Sequence, residues 1–132
     1  MAKYANCVME SDQHPLWEAL DGSRQVSPLI TKDHCGAESC CSGLWWLHPG
    51  REGAPDIHPN ADEIYYVVSG EGRLLLGDEA YTVRKGMTIF IPRNVTHQTF
   101  NTGDEDLCYY FIFAPQPLEA AKQDAEGWKK LR

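Results

Sequence analysis

The segment from Gly50 to Gly70 constrains this chain more than any other, because three side chains that can bind metal come directly before an apolar strand. Asp56 and His58 are two positions apart, so on an extended backbone both side chains project from the same face. A turn at 59–62 follows and brings Glu63 to the head of the next strand. Carboxylate and imidazole donors suit Mn²⁺, Fe²⁺, Ni²⁺ or Zn²⁺. The segment therefore predicts a divalent metal site at the start of a strand.

A second segment, Gly86 to Asn101, contributes another histidine. Its sequence predicts a strand, a turn at 92–94 and a second strand near His97. The two-residue period of a strand places His97, Thr99 and Asn101 on one face. His97 would then join the donors of the first segment.

These two segments resemble the two signature motifs of the cupin superfamily, G-x5-HxH-x3-4-E-x6-G and G-x5-PxG-x2-H-x3-N. The spacing agrees throughout, from Gly50 to Gly70 and from Gly86 to Asn101. Two positions depart, with Asp56 where the first motif has histidine and Asn94 where the second has glycine. Asparagine tolerates a positive φ almost as glycine does, so the second departure is compatible with the turn. The first leaves open which metal is bound and whether Asp56 is a ligand.

The resemblance implies an all-β fold, a double-stranded β-helix (jelly-roll) barrel over residues 25–114. Short strands separated by turns agree with it. The predicted strands are Val26–Thr31, Ser39–His48, Glu63–Val68, Arg73–Gly77, Ala80–Arg84, Thr88–Ile91, Thr96–Asn101 and Leu107–Phe113. Residues 1–24 are expected to form an arm with a short helix at His14–Leu20. Residues 115–132 are expected to carry a C-terminal helix from Pro117.

The strand from Glu63 to Val68 carries large side chains on both faces, which a sheet with one face in water would not. The face that carries Ile64, Tyr66 and Val68 should therefore be covered by a further layer. The resemblance implies a homodimer that packs sheet against sheet. The C-terminal helix is the alternative cover.

Composition agrees with one small domain and excludes several partners. The chain has 132 residues, of which 42% are hydrophobic, enough for a single core. Its net charge is −7 and its basic residues are scattered, so neither nucleic acid nor a membrane surface is an expected partner. Five cysteines without CxxC spacing favour reduced thiols. With no apolar window long enough to span a bilayer, we expect a cytoplasmic protein.

The candidate site residues differ in how strongly the pattern supports them. His58, Glu63 and His97 are the predicted metal ligands, and Asp56 is either a fourth ligand or a group that supports one. Tyr65 shares the face of Glu63 and is the candidate proton donor. The candidate substrate-binding residues are Trp45, Tyr65, Arg73, Thr99, Asn101 and Tyr109. The remaining histidines, His14, His34 and His48, are expected to be structural.

Two imidazoles and a carboxylate form a facial triad, which lets Fe²⁺ bind a substrate and O2 side by side, and a carboxylate-rich set also suits Mn²⁺. Zn²⁺ and Ni²⁺ remain alternatives. The sequence therefore predicts a metal-dependent cupin enzyme that acts on a small oxygenated organic compound, as a dioxygenase or as a lyase, decarboxylase or isomerase. A non-catalytic cupin that binds a sugar-like molecule or an organic acid is the alternative, and a structural or storage module is a third hypothesis.

Overall fold

The computed structural model describes residues 2–117 and 127–132. In these residues it contains ten β-strands: β1 (Trp17–Ala19), β2 (Arg24–Ile30), β3 (Cys41–Leu47), β4 (Asp62–Ser69), β5 (Glu71–Leu76), β6 (Glu79–Arg84), β7 (Thr88–Ile91), β8 (His97–Asn101), β9 (Leu107–Ala114) and β10 (Trp128–Lys130). A single helical turn, α1 (Lys32–Cys35), joins β2 to β3, and 3-10 turns at Ala5–Cys7 and Ser11–Gln13 precede β1.

The strands form two antiparallel sheets. The larger has the order β10-β1-β2-β3-β9-β4-β7 and the smaller the order β6-β5-β8. The main core lies between them and draws buried side chains from both sheets: Leu47, Val67, Leu107 and Tyr109 from the larger, Leu74 and Val83 from the smaller. The predicted jelly-roll barrel is confirmed, and each of the eight predicted strands is present to within two residues at either end.

The side chains of β4 alternate between the core and the outer face. Glu63 and Val67 are buried, whereas Tyr66 and Val68 are exposed by 49% and 39%. This is the predicted alternation, and it follows from the two-residue period of the strand. It aims the Glu63 carboxylate into the space between the sheets.

Residues 50–58 run beside β8 and extend the smaller sheet. Asp56 and His97 exchange two backbone hydrogen bonds of 2.9 Å. The turn before β8 is tied to the same segment, because Asn94 N donates to His58 O at 3.1 Å. Asn94 has a φ of 63°, the left-handed conformation in which asparagine can replace glycine. The two motif segments are thus held in a fixed register.

The prediction of a helix at His14–Leu20 is wrong. Residues Trp17–Ala19 form β1, which pairs with β2 on one side and with β10 on the other. Helical propensity is a weak preference over so few residues, and pairing with neighbouring strands overrides it.

The C-terminal helix predicted from Pro117 falls mostly on residues 118–126, which lie outside the described part of the chain. The prediction is wrong at the C-terminal end of this helix, because Trp128–Lys130 form strand β10. Gly127 precedes this strand with a φ of 105°, a conformation that does not continue a helix. No helix among the described residues has the length and apolarity needed to cross a bilayer.

Asn101 joins three parts of the barrel through one buried amide. Its Nδ2 donates to Leu47 O and to Glu105 O at 2.8 Å each, and its Oδ1 accepts from Gly103 N at 2.9 Å. The side chain is only 4% exposed. The end of β3, the loop before β9 and β8 are therefore fastened at one residue.

Asn101→Ala should lower the free energy of unfolding by about 3 kcal/mol, because two buried carbonyls and one N–H lose their partner. Urea denaturation of the metal-free protein measures the change. Asn60→Ala, at an exposed position, is the control and should change stability by no more than about 0.5 kcal/mol. Equal midpoints for the two variants would contradict this role.

The outer face of the larger sheet carries an apolar patch around Ile64. Register places Phe90 of β7 and Ile112 of β9 beside Ile64, and Tyr110 beside Tyr66. Phe90 is 55% exposed and Tyr66 49%. A contiguous patch of this kind is uncommon on a monomer, and we propose that a second copy of the chain covers it.

The wild-type protein at micromolar concentration should then show twice the mass of one chain in light scattering. Tyr66→Glu should yield the monomer, because it places a charge within the apolar patch. Tyr81→Glu introduces the same charge on the exposed face of β6, in the other sheet, and should leave the mass unchanged. A monomeric wild-type protein would refute the proposal.

Candidate metal centre

The four predicted ligands converge on the inner face of the barrel. His58 Nε2 lies 3.4 Å from Asp56 Oδ2 and 3.5 Å from Glu63 Oε1. His97 Nε2 lies 3.3 Å from the same Glu63 oxygen. The donor atoms of Asp56, His58 and His97 all lie within 4.8 Å of one another. The structure thus contains a His/His/Asp group that can hold a metal ion, with Glu63 against both imidazoles.

Glu63 carries the least satisfied polar atom of this group. The side chain is buried, and its Oε1 forms no hydrogen bond of good geometry within the described residues. Burial raises the pKa of Glu63, and the imidazoles of His97 and His58 oppose the rise. Buried carboxylate oxygens are normally paired, because an unpaired one loses its hydration without compensation. A divalent cation bound to Oε1 would supply the missing partner.

The imidazole of His97 is oriented by the backbone. Its Nδ1 lies 3.1 Å from Val95 O, and since a carbonyl can only accept, Nδ1 must carry hydrogen. In the neutral ring the lone pair of Nε2 then faces the Glu63 carboxylate, an arrangement that needs a proton or a metal ion between the two atoms. Burial lowers the pKa of His97, but Glu63 and the carbonyl outweigh it, and the net pKa is raised. Metal-binding histidines are commonly oriented by a carbonyl in this way.

Asp56 is the most open member of the group. Its side chain is 60% exposed. Its Oδ1 accepts from Ile57 N at 2.9 Å, which leaves Oδ2 on the side of His58. The hydrogen bond fixes the direction of the carboxylate although solvent still reaches it.

A cavity of about 250 Å³ opens onto these donors. Its wall is mostly apolar and aromatic, with contributions from Val26, Pro28, Trp45, Tyr65, Phe111 and Phe113. Burial raises the pKa of Tyr65, and the nearby Glu63 carboxylate acts in the same direction, so the phenol keeps its proton. A concave, largely apolar space with a few polar groups suits a small organic molecule.

Three of the predicted substrate-binding residues, Trp45, Tyr65 and Thr99, line this cavity. Tyr109 lies behind them. Its ring stacks against Tyr65 (4.3 Å between centroids) and Trp45 (5.3 Å), and its hydroxyl lies 3.1 Å from Thr99 Oγ1. Tyr109 therefore supports the wall from within the core, and the prediction that it contacts a ligand finds no counterpart in this geometry.

The structure does not bring Asn101 or Arg73 to the cavity. The amide of Asn101 is engaged by backbone partners on both of its polar atoms, so it serves the fold. Arg73 is exposed and lies between the buried positions 72 and 74 of β5, so the alternation of the strand turns it outward.

Several cavity residues escaped the sequence analysis, among them Arg24 and Cys41. Arg24 lines the cavity from β2, where it shares the parity of Val26 and Pro28, and that parity is the signal that could have found it. Cys41 lines it from β3, and burial raises the pKa of its thiol to about 11. The thiol is therefore neutral near pH 7, and the donors at the centre are nitrogen and oxygen atoms.

Comparison with known proteins agrees with this architecture. The family model of the cupin domain matches residues 43–113. The chain is 32% identical over 90 residues to Protein SchB of Streptomyces halstedii, and the alignment covers 68% of this chain and 65% of that protein. It is 38% identical over 76 residues to Oxalate oxidase GF-3.8 of Triticum aestivum, which covers 52% of this chain and 34% of that protein. The chain thus spans less than two thirds of the length of either relative.

Among solved structures, the barrel is similar to a predicted oxalate decarboxylase from Thermotoga maritima. The TM-score is 0.72 at 22% identity, over 83% of this chain and 99% of that one. At this identity the likeness establishes the fold and not the reaction. The family match covers more than half of the chain and includes both motif segments, so this protein belongs to the cupin domain family.

Proposed function

We propose that this protein is a metal-dependent cupin enzyme that acts on a small oxygenated organic compound, either as a dioxygenase or as a lyase, decarboxylase or isomerase. The observation that carries the proposal is the Glu63 oxygen, buried between two imidazoles and without a hydrogen bond of good geometry to the described residues. Such an atom is costly to a fold unless a proton or a bound cation compensates for it, and the two imidazoles with a nearby Asp56 carboxylate form a donor group for a cation.

His58, Glu63 and His97 would hold the ion, and Asp56 would be a fourth ligand or a group that hydrogen-bonds to one. Two imidazoles with carboxylates suit Fe²⁺ and Mn²⁺, while Zn²⁺ and Ni²⁺ also accept these donors. The bound ion would supply Lewis-acid activation of a substrate oxygen or, as Fe²⁺, a place for O2.

The protein's own contribution is a shaped, largely apolar cavity and a proton donor. The aromatic wall can hold an apolar body against the donors. Tyr65 lines this space, and burial and the nearby Glu63 carboxylate raise the pKa of its phenol. Its hydroxyl is thus protonated near pH 7 and can donate to an oxygen of the substrate.

The relatives support a substrate of this class. One of them is named an oxalate oxidase, and oxalate is a small organic acid rich in oxygen. Oxalate and larger organic acids share carboxylate oxygens that can chelate a divalent ion. This likeness favours an organic acid or a related oxygenated compound for the present cavity.

A second candidate function is the binding of a small molecule without turnover. The exposure of Asp56 favours it, because a ligand position that is 60% open to solvent holds a metal less firmly than a buried histidine would. Metal content and turnover separate the two functions.

Protein purified without an affinity tag should contain about one divalent ion per chain. His97→Ala should lose the ion, because the remaining donors include only one imidazole. The barrel should stay folded, because its apolar core does not depend on the ion. Asp56→Ala should weaken binding by about 10- to 100-fold if Asp56 only supports a ligand, and should match His97→Ala if it is a ligand itself. Elemental analysis and circular dichroism measure metal and fold. Full metal retention in His97→Ala would refute the site.

Anaerobic loading with Fe²⁺ followed by O2 should turn over an enolisable or catecholic compound if the enzyme is a dioxygenase, with O2 consumed in proportion to product. A lyase or isomerase should form product without O2 after loading with Mn²⁺, Zn²⁺ or Ni²⁺. His97→Ala is the control and should be inactive in both assays. Tight ligand binding by the metal-free protein, with no turnover after loading with any of these metals, would favour the binding function over the enzymatic one.

A further inference from the structure

The cavity has a second polar region, formed by Arg24. This residue lines the cavity from the first position of β2, together with Trp128 of β10. Arg24 pairs with Leu47, at one end of β3. Cys41, at the other end of β3, pairs with Phe113, and Phe113 pairs with Glu63, so these three share one row of the sheet. The two rows are six residues apart along β3, about 20 Å of strand. The arginine therefore lies toward the end of the cavity away from the metal ligands.

The guanidinium of Arg24 is held in place but has hydrogen-bonding capacity left. Its carbon lies 5.2 Å from the centre of the Trp128 ring. Its Nη1 donates to Ser23 Oγ at 2.9 Å, and Ser23 Oγ in turn donates to Asp21 Oδ1 at 2.6 Å. This is the one hydrogen bond of the guanidinium within the described residues. A guanidinium has five N–H groups, and the described residues leave most of them available to a ligand.

Among the described residues, the acidic side chain that pairs with this cation does not neutralise it. Asp21 Oδ1 is 3.9 Å from Arg24 Nη1, and Asp21 is 62% exposed whereas Arg24 is 22% exposed. The same Asp21 oxygen already accepts from the backbone and the side chain of Ser23. An ion pair this long and this exposed contributes little, so the described residues leave the charge of Arg24 largely uncompensated at this end of the cavity.

The wall between the two polar regions is apolar. Val26 and Pro28 continue the inner face of β2 from Arg24, and Trp45 and Phe111 lie beside them on β3 and β9. A ligand that touches both regions must therefore carry an apolar body between them.

We propose that Arg24 binds an anionic group of the substrate, so that the substrate is an organic acid with an extended apolar body that separates its carboxylate from its metal-binding oxygen. This inference rests on the proposed function only for the metal-binding end of the molecule. The planar fork of the guanidinium matches a carboxylate through two parallel hydrogen bonds, and stacking on Trp128 fixes the plane of that fork. Arg24 is a specificity-determining residue in this arrangement.

Two pairs of probes test the two ends separately. In metal-free protein, the affinity for 8-phenyloctanoate is compared with that for 8-phenyloctanamide, which has the same shape without the charge. In zinc-loaded protein, 8-(3,4-dihydroxyphenyl)octanoate is compared with its primary amide, because the catechol can chelate the ion while the chain carries the other end along the cavity. Titration calorimetry gives all four dissociation constants. The variants are Arg24→Gln and Arg24→Lys, and Arg73→Gln is the control because it removes one positive charge at an exposed position outside the cavity.

The wild-type protein should bind each acid roughly ten- to a hundred-fold more tightly than its amide, the usual effect of hydrogen bonds to a charged group. Arg24→Gln should abolish this preference while binding the amides normally, which also shows that the variant is folded. Arg24→Lys should retain only part of the preference, because the ammonium lacks the planar fork. Arg73→Gln should keep it in full.

An equal affinity of the wild-type protein for 8-phenyloctanoate and its amide would overturn the proposal, and so would an equal loss of preference in Arg24→Gln and Arg73→Gln. Failure of the proposed metal function has a different signature. The catechol acid would then bind the zinc-treated and metal-free proteins equally, while the preference for 8-phenyloctanoate over its amide would persist in the metal-free protein.

Discussion

The backbone pairing between residues 50–58 and β8 is the interaction on which the site depends. The carboxylate and imidazole donors come from two segments far apart in the chain, and neither segment alone brings enough of them together. The two hydrogen bonds between Asp56 and His97 set the register of one segment on the other. A slip by one residue would turn His97 to the opposite face of its strand. The bond from Asn94 N to His58 O removes the remaining freedom at the turn.

This rigid frame also explains why a buried carboxylate can persist. The apolar core of the barrel lies on β3, β4, β5, β6 and β9, so the fold has a source of stability independent of the donors. Glu63 occupies a place where burial opposes its charge and where the nearest groups are the two imidazoles. A strained or poorly paired polar group of this kind is typical of functional sites. The barrel holds the Glu63 carboxylate in position, and a bound cation would compensate for its buried charge.

Much of the fold and of the metal centre follows from local spacing. The alternation of β4 correctly places Glu63 and Tyr65 inside and Tyr66 and Val68 outside, because burial follows the two-residue period. The same reasoning could not separate a wall residue from the residue behind it. Thr99 and Tyr109 both face inward, and only their mutual hydrogen bond and the stacking of Tyr109 show which one is covered.

The chain ends were harder to predict for a different physical reason. Three residues at Trp17–Ala19 carry little intrinsic preference, and they become a strand by pairing with β2 on one side and, on the other, with β10, more than 100 residues away in sequence. Arg24 was missed for a related reason, because its strand was expected to begin two residues later. Pairing over long sequence separation decides such short elements, and local patterns do not contain that information. Asn101 shows the converse case, since a residue of a recognised motif can serve the fold instead of the ligand.

The edges of the two sheets bear on how copies of this protein can meet. At one edge of the larger sheet, β10 has only three residues, two of which are the exposed Lys129 and Lys130. At the other edge, β7 has four residues and is followed at once by Pro92. In the smaller sheet, residues 50–58 already occupy the open side of β8. Short strands, lysines and proline all discourage the addition of a foreign strand. Runaway strand pairing is thereby disfavoured at these three edges, so two copies can meet through the broad apolar face of the larger sheet without extending that sheet into a fibril.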